Sequence, residues 1–382
     1  MASKCCLLLG AVFAASNVIA LEALDEQTMS EVTGQAQGLR YTSEFDARID
    51  SITYIDDDGM GEADSSVGTL SMAPVRVYTP TNRPVQVDLE VRDVNGEKAL
   101  VFTNRDLPFE IEVGSIAING DSLGGYGQGN FQIGSGDAVV TYLYAGGFPV
   151  NGTPGNGLTL DVDIPASMSF ETYFEDEGTR MTTTVDFGDP YDAAGGGLLL
   201  EDISFDLVGE GLRIGLPTID GGNINFYNVR IGEDVLNSLA LRNIIIQPGG
   251  YLLVKNARGA DEYGIEMDSV IKQDSGFDFV YIAGEVDGSY PNANVFELSA
   301  GVLMASDFEV KGLRMNVDGE RGLVFDFDNT DANSGASANL VVQDVTMQRS
   351  DKVGTVETPV SLGTLDMQIN LSNNSYLQVQ GH

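Results

Sequence analysis

The chain lacks the residues on which much hydrolytic and metal-dependent chemistry depends. It has no tryptophan, a single histidine, His382, and two cysteines, Cys5 and Cys6. Ser-His-Asp and Cys-His triads need an internal histidine, and zinc sites are built from clustered histidine and cysteine side chains. The composition therefore argues against both classes, and we predict that the protein is not an enzyme.

Positive charge is also scarce. The 20 lysines and arginines stand against 57 aspartates and glutamates, which gives a formal net charge of −37 at pH 7. Nucleic acids and anionic lipids are bound through basic faces, so we expect no nucleic-acid partner. The hydrophobic content of 42% is that of a packed globular chain rather than a disordered one.

Residues 1–20 have the pattern of a secretory signal peptide. Lys4 precedes an apolar run from Cys5 to Ala15, and Val18 and Ala20 suit the −3 and −1 positions of a cleavage site. We expect cleavage after Ala20 and a location in the periplasm, on the outer-membrane surface or outside the cell. No later apolar stretch reaches the roughly 18 residues of a membrane-spanning helix, so the sequence predicts no transmembrane helix.

One short helix is predicted over residues 21–37. Leu24, Met29 and Val32 fall on one helical face, and Gly34 suits a helix end. The remaining chain reads as strands and turns in three related β units, at 38–156, 157–263 and 264–382. Each unit opens with an alternating strand that leads into an acidic turn, and these turns end at Gly59, Gly178 and Gly288.

Apolar residues within these units recur with spacings of two, three and two, as in Leu198, Leu200, Ile203 and Phe205. A spacing of two keeps side chains on one face of a strand. The spacing of three is a one-residue slip, which a bulge or bend corrects. We therefore predict an all-β fold of three tandem units with bent strands. It would be elongated, as either a β-solenoid-like fold or a curved β-sandwich.

The densest carboxylate cluster contains Asp56, Asp58, Glu62 and Asp64. Hard cations such as Ca²⁺ take oxygen ligands from carboxylates and carbonyls. These four residues are therefore candidate metal ligands, and Ca²⁺ is the one cofactor that the sequence suggests. The alternative is a solvated hairpin turn, because Asp-Gly is a common turn sequence.

Two hydrolase chemistries have partial support in the sequence. The segment from Gly120 to Gly124 fits G-x-S-x-G around Ser122, but this chemistry needs a strand-to-helix turn and a histidine base. The surrounding sequence reads as strands. Glycoside hydrolysis needs only two carboxylates, so a carbohydrate-active hydrolase remains an alternative function.

The segment LEALDEQTMSEVTGQAQG resembles a motif of the FilA-like pilus-assembly family of exported Gram-negative proteins. The matching residues are Leu24, Asp25, Met29, Ser30, Val32, Thr33, Gly34 and Gln35. The turn Asp56-Asp57-Asp58-Gly59 and the segment Gln380-Gly381-His382 also resemble that family, whereas Ala36-Gln37 before Gly38 depart from its usual Gly-Gln ending. The resemblance implies a surface or fimbria-associated protein without enzymatic activity.

These observations together predict an exported, non-enzymatic structural or adhesive protein of the cell surface or of pilus or fimbria assembly. Its expected partners are other surface or pilus-assembly proteins, or further copies of itself. A Ca²⁺-dependent binding or adhesion module is the first alternative.

Overall fold

The computed structural model describes residues 38–57, 66–150, 153–189, 192–256, 265–284, 295–327, 331–350 and 358–380. Within these ranges every regular element is a β-strand, which confirms the all-β class. All but two short strands belong to one large antiparallel sheet. The predicted signal peptide and the predicted helix at 21–37 lie outside the described residues. Among the described residues, no helix is long and apolar enough to cross a membrane.

The strands are numbered in chain order. The first ten are β1 Leu39–Ser43, β2 Asp46–Ile49, β3 Ile52–Asp56, β4 Gly68–Met72, β5 Val75–Tyr78, β6 Val85–Val94, β7 Glu97–Asn104, β8 Glu110–Ile118, β9 Asp121–Gln132 and β10 Val139–Val150. The next eleven are β11 Thr153–Ile164, β12 Ser169–Asp176, β13 Thr179–Asp186, β14 Gly188–Asp189, β15 Asp192–Gly196, β16 Leu198–Val208, β17 Gly211–Gly215, β18 Ile219–Asp220, β19 Ile224–Ile231, β20 Asp234–Ile246 and β21 Tyr251–Asn256. The last eight are β22 Ile265–Ile271, β23 Gly276–Ala283, β24 Val295–Met304, β25 Phe308–Asp318, β26 Gly322–Phe327, β27 Gly335–Ser350, β28 Val360–Ser372 and β29 Tyr376–Val379.

The chain alternates between two rows of paired strands. It forms a hairpin in one row, crosses by a short connection, and forms the next hairpin in the other row. The first row runs β1-β6-β7-β10-β11-β16-β17-β21-β22-β25-β26-β29. The second row runs β2/β3, β4/β5, β8, β9, β12, β13, β18/β19, β20, β23, β24, β27 and β28.

The order of pairings recurs every four strands along each row. In the first row the three sets are β1-β6-β7-β10, β11-β16-β17-β21 and β22-β25-β26-β29. In the second row β8-β9, β19-β20 and β27-β28 are the corresponding hairpins. The grouping in fours follows the three units predicted from the sequence, and that division stays a prediction. The boundaries predicted at 156/157 and 263/264 stay predictions.

The one-residue slips in the apolar spacing are bulges. Asp202, Asn228, Asn243 and Asp344 each stand at a spacing of three, with φ of 62°, 50°, 50° and 52°. The pairing register shifts at these points. Asn and Asp tolerate the left-handed region better than other non-glycine residues. The strands are therefore bent as predicted.

The main core lies where the chain crosses between the rows. Phe131, Val185 and Ile244 from the second row pack with Val139 and Leu198 from the first. Phenylalanine rings extend this core, with a centroid distance of 4.6 Å between Phe109 and Phe131.

Candidate functional site

The first acidic turn approaches the third unit. Asp56, the last residue of β3, is 2% exposed, and its Oδ2 accepts a hydrogen bond of 2.7 Å from the backbone N–H of Val317. Asp58, Glu62 and Asp64 lie outside the described residues. Where the structure describes the chain, no group of three or more His, Cys, Asp or Glu residues is placed to hold a metal ion. The Ca²⁺ site stays a prediction.

A second buried carboxylate, that of Asp318 in the third unit, bonds back to the first unit. Asp318 Oδ2 accepts a 3.0 Å hydrogen bond from the backbone N–H of Ser66, and Asn119 Nδ2 donates to the carbonyl of Asp318 at 2.7 Å. Close approach depends on Gly68, where an added Cβ would lie 1.9 Å from the carbonyl oxygen of Val317. We call Asp56, Ser66, Asn119, Val317 and Asp318 the first–third contact.

Asp318 is held in its charged form. Burial acts to raise the pKa of this carboxyl, but backbone N–H groups of Ser66, Arg321 and Glu320 donate to it and the Arg321 charge lies nearby. The hydrogen bonds from Glu320 and Arg321 to Oδ1 measure 2.9 and 2.8 Å. Because these donors stabilise the carboxylate, the pKa of Asp318 lies below its usual value.

The second acidic turn is a tight hairpin. Glu177 and Gly178 have φ of 48° and 78° between β12 and β13, and positive φ at both central residues is the hairpin geometry of a primed turn. Arg180 lies 2.6 Å from the Glu175 carboxylate and 4.0 Å from the ring centroid of Tyr173. The third acidic turn, at residues 285–288, lies outside the described residues.

Ser122 stands in a strand and not at a strand-to-helix turn. It belongs to β9, its Oγ lies 2.9 Å from Ser115 Oγ across the pair with β8, and it accepts a 3.1 Å hydrogen bond from the N–H of Gly124. A nucleophile elbow presents its hydroxyl beside a base, whereas these contacts are those of a cross-strand pair.

A groove of about 600 Å³ lies on the first row between β10, β11, β16 and β17, and the sequence analysis did not predict it. The Arg213 guanidinium lies 5.6 Å from the Phe148 ring centroid and 5.4 Å from that of Tyr251. Buried Asp206 accepts hydrogen bonds from the backbone N–H groups of Phe148 and Gly157. Phe148, Asp206 and Arg213 therefore give the groove one ring, one carboxylate and one cation. The sequence could have pointed to this groove through Arg213. The two segments that match EGLRI, which are KALVF and RGLVF, have valine at the position of Arg213.

In the part of the chain that the structure describes, the first and last strands of each row are paired on one side. Within the described residues, β1 pairs only with β6 and β29 only with β26, while β28 pairs only with β27. Large apolar side chains on these strands are exposed, including Leu39 at 65%, Leu365 at 55%, Tyr376 at 73% and Leu377 at 61%. Exposed, apolar edges of this kind are sites at which another strand can add.

Comparison with known proteins reaches only the first part of the chain. A family model described as a family of unknown function, DUF6160, matches residues 1–99. This match spans the signal pattern and the beginning of the first unit, ending in β7. No curated protein matches the chain, and no solved structure matches it.

Proposed function

We propose that this chain is an exported, non-enzymatic structural or adhesive protein of the bacterial cell surface, associated with pilus or fimbria assembly. The observation that carries the proposal is the pairing of 27 strands into one continuous antiparallel sheet. The exposed apolar side chains of its outer strands, such as Leu377, are sites at which another strand can add. The signal pattern of residues 1–20 supports export, and the FilA-like resemblance supports a role in pilus assembly.

The surroundings of Ser122 add support for a non-enzymatic role. Its hydroxyl is engaged with Ser115 and with the backbone of Gly124. The Ser122→Ala variant should therefore retain the surface function of the wild type. Loss of a hydrolytic activity in a correctly folded Ser122→Ala protein would instead identify Ser122 as a nucleophile.

Localisation in intact cells tests the proposal. An epitope inserted after Gly209, where an added side chain meets open space, should become accessible to antibody and external protease. The exported protein should begin at Leu21, and a deletion strain should lose piliation or adhesion. Retention of the tag inside the cell, with Met1 still present, would contradict the proposal. A deletion strain with unchanged piliation and adhesion would also contradict it.

A further inference from the structure

We propose that copies of this chain join end to end by strand pairing. In this arrangement β29 of one copy pairs antiparallel with β1 of the next copy, which extends the first row. The second row continues in the same way, from β28 to β2 and β3 of the next copy. The inference deepens the proposed function, because it names a second copy of the chain as a direct partner.

Two junctions within the chain already show the pairing that would join two copies. In the first row, β10 meets β11 with Leu143 opposite Leu160. One unit further on, β21 meets β22 with Val254 opposite Met267. Both junctions are antiparallel, and each joins the last first-row strand of one unit to the first strand of the next. The units therefore carry complementary edges.

The register of these junctions can be transferred to the C-terminal edge of the array. Val254 lies opposite Leu212 of β17, and Val379 lies opposite Leu323 of β26. Leu212 and Leu323 occupy the same position in the matching segments EGLRI and RGLVF. Val379 is therefore the third-unit equivalent of Val254. The free edge of β29 corresponds to the edge through which β21 pairs with β22.

The same transfer can be made at the N-terminal edge. Ile265 of β22 lies opposite Met315 of β25, and Leu39 of β1 lies opposite Leu89 of β6. Met315 and Leu89 are equivalent because each faces a phenylalanine of the following strand. Leu39 thus corresponds to Ile265. Counting along both strands places Leu377 of one copy opposite Ser43 of the next, as Leu252 lies opposite Ser269 within the chain.

The second row supports the same boundary. Gly127 of β9 lies opposite Tyr173 of β12, and Ala240 of β20 lies opposite Val280 of β23. By the recurrence of pairings, β28 is the equivalent of β9 and β20. In the same way, β3 is the equivalent of β12 and β23. Both rows can therefore continue across one junction between two copies.

The composition of β28 also favours pairing. Soluble proteins protect sheet edges with short strands, prolines or charged side chains, lysine above all. β28 runs over 13 residues and contains no proline or lysine, and Asp366 is its only charged residue. Val360, Leu362 and Leu371 on this strand are exposed. Addition of a further copy would cover this surface.

Disulfide trapping tests the register directly. In a background carrying Cys5→Ser and Cys6→Ser, the pair Leu377→Cys and Ser43→Cys supplies the only thiols. Directly opposed antiparallel residues have Cα atoms about 4.5–5.5 Å apart, within the span of a disulfide. Mild oxidation should give a ladder of covalent oligomers. The control combines Leu377→Cys with Thr42→Cys. Because neighbouring residues of a strand point to opposite faces of the sheet, this pair should give about tenfold less cross-linked oligomer.

Assembly without cross-linking provides an independent measurement. The mass of the wild-type chain in sedimentation should rise with protein concentration and with NaCl, because salt screens the repulsion between acidic copies. Leu377→Lys should remain monomeric. Leu207→Lys should assemble like the wild type, because Leu207 is 90% exposed on β16, which is paired on both sides.

Three results would overturn the inference: a chain that stays monomeric at high concentration and salt, disulfides formed only within one chain, or equal assembly of the two lysine variants. Disulfides within one chain would place β29 beside β1 of the same copy. Either of the other two results would leave the edges to another occupant, such as residues 21–37 or a strand from another protein. A monomer displayed on the cell surface would leave the proposed function intact. Assembly by a chain retained inside the cell would contradict the proposed function alone.

Discussion

The carboxylate of Asp56 accepts a hydrogen bond of 2.7 Å from the backbone N–H of Val317, which lies 261 residues further along the chain. The two residues are 2% and 0% exposed. The bond joins the β3–β4 hairpin of the first unit to β25 of the third. This hydrogen bond can therefore form only when the first and the third unit are both folded.

Replacement of Asp56 by alanine should destabilise the fold. The Val317 N–H would remain buried without its acceptor, which costs about 1–3 kcal/mol. Asp57→Ala removes the same formal charge from an exposed neighbour and should change the free energy of unfolding by less than about 0.5 kcal/mol. Denaturant unfolding of both variants measures the difference, and equal effects would contradict the assignment of Asp56 to the contact.

The depressed pKa of Asp318 should make stability depend on pH. A carboxyl whose pKa is lowered by folding stabilises the folded state above its unfolded pKa, near 3.9. That contribution is lost as the pH falls through the lower, folded value. The difference in unfolding free energy between wild type and Asp318→Asn should therefore be constant near neutral pH and shrink below about pH 4. A difference that stays constant down to pH 2 would contradict the pKa shift.

Two glycines of the second unit should differ sharply in their tolerance of alanine. At Gly157 an added Cβ would lie 1.7 Å from the carbonyl oxygen of Phe205, whereas at Gly209 it would meet open space. Gly157→Ala should cost about 1–3 kcal/mol or more through overpacking, and Gly209→Ala should be nearly neutral. Thermal melting compares them, and similar melting temperatures would show that β11 and β16 can separate at little cost.

The bulge at Asp344 should reject a β-branched side chain. Its φ of 52° is a left-handed conformation that costs most L-residues about 1–2 kcal/mol. Asp344→Val should destabilise the protein by about that amount, while Asp344→Gly should be tolerated. Gln343→Val, at the exposed neighbouring position, is the control. If both valine variants unfold at the same denaturant concentration, the bulge is not constrained at Asp344.

Calcium should stabilise the protein no more than sodium does at matched ionic strength. Asp56 already has a structural partner, and the second acidic turn has hairpin geometry, so we expect general screening of charge. Thermal melting in the two salts tests this, with Glu62→Gln/Asp64→Asn as a variant that leaves the Asp56 hydrogen bond in place. A calcium-specific rise in melting temperature that this variant reduces would establish the predicted site.

Local pattern was sufficient for the all-β class and the bent strands. The spacing of Leu200 and Ile203 predicts a bulge because side chains alternate on a strand, and an aspartate at the slip, Asp202, suits positive φ. These features depend on residues close together in sequence. A single sequence can therefore indicate them without knowledge of the rest of the fold.

The candidate site was only partly predictable. The sequence singled out Asp56 as a carboxylate of interest, but its partner Val317 lies in another unit, and nothing near Asp56 indicates that pairing. The sequence also gave no indication that Leu377 is exposed, because YLQVQG resembles YLLVKN, whose strand is paired on both sides.

Periodicity within the chain determined the strands and their bulges. Only the tertiary structure decided which carboxylates are buried and which edges stay open, because both depend on contacts between residues far apart in sequence.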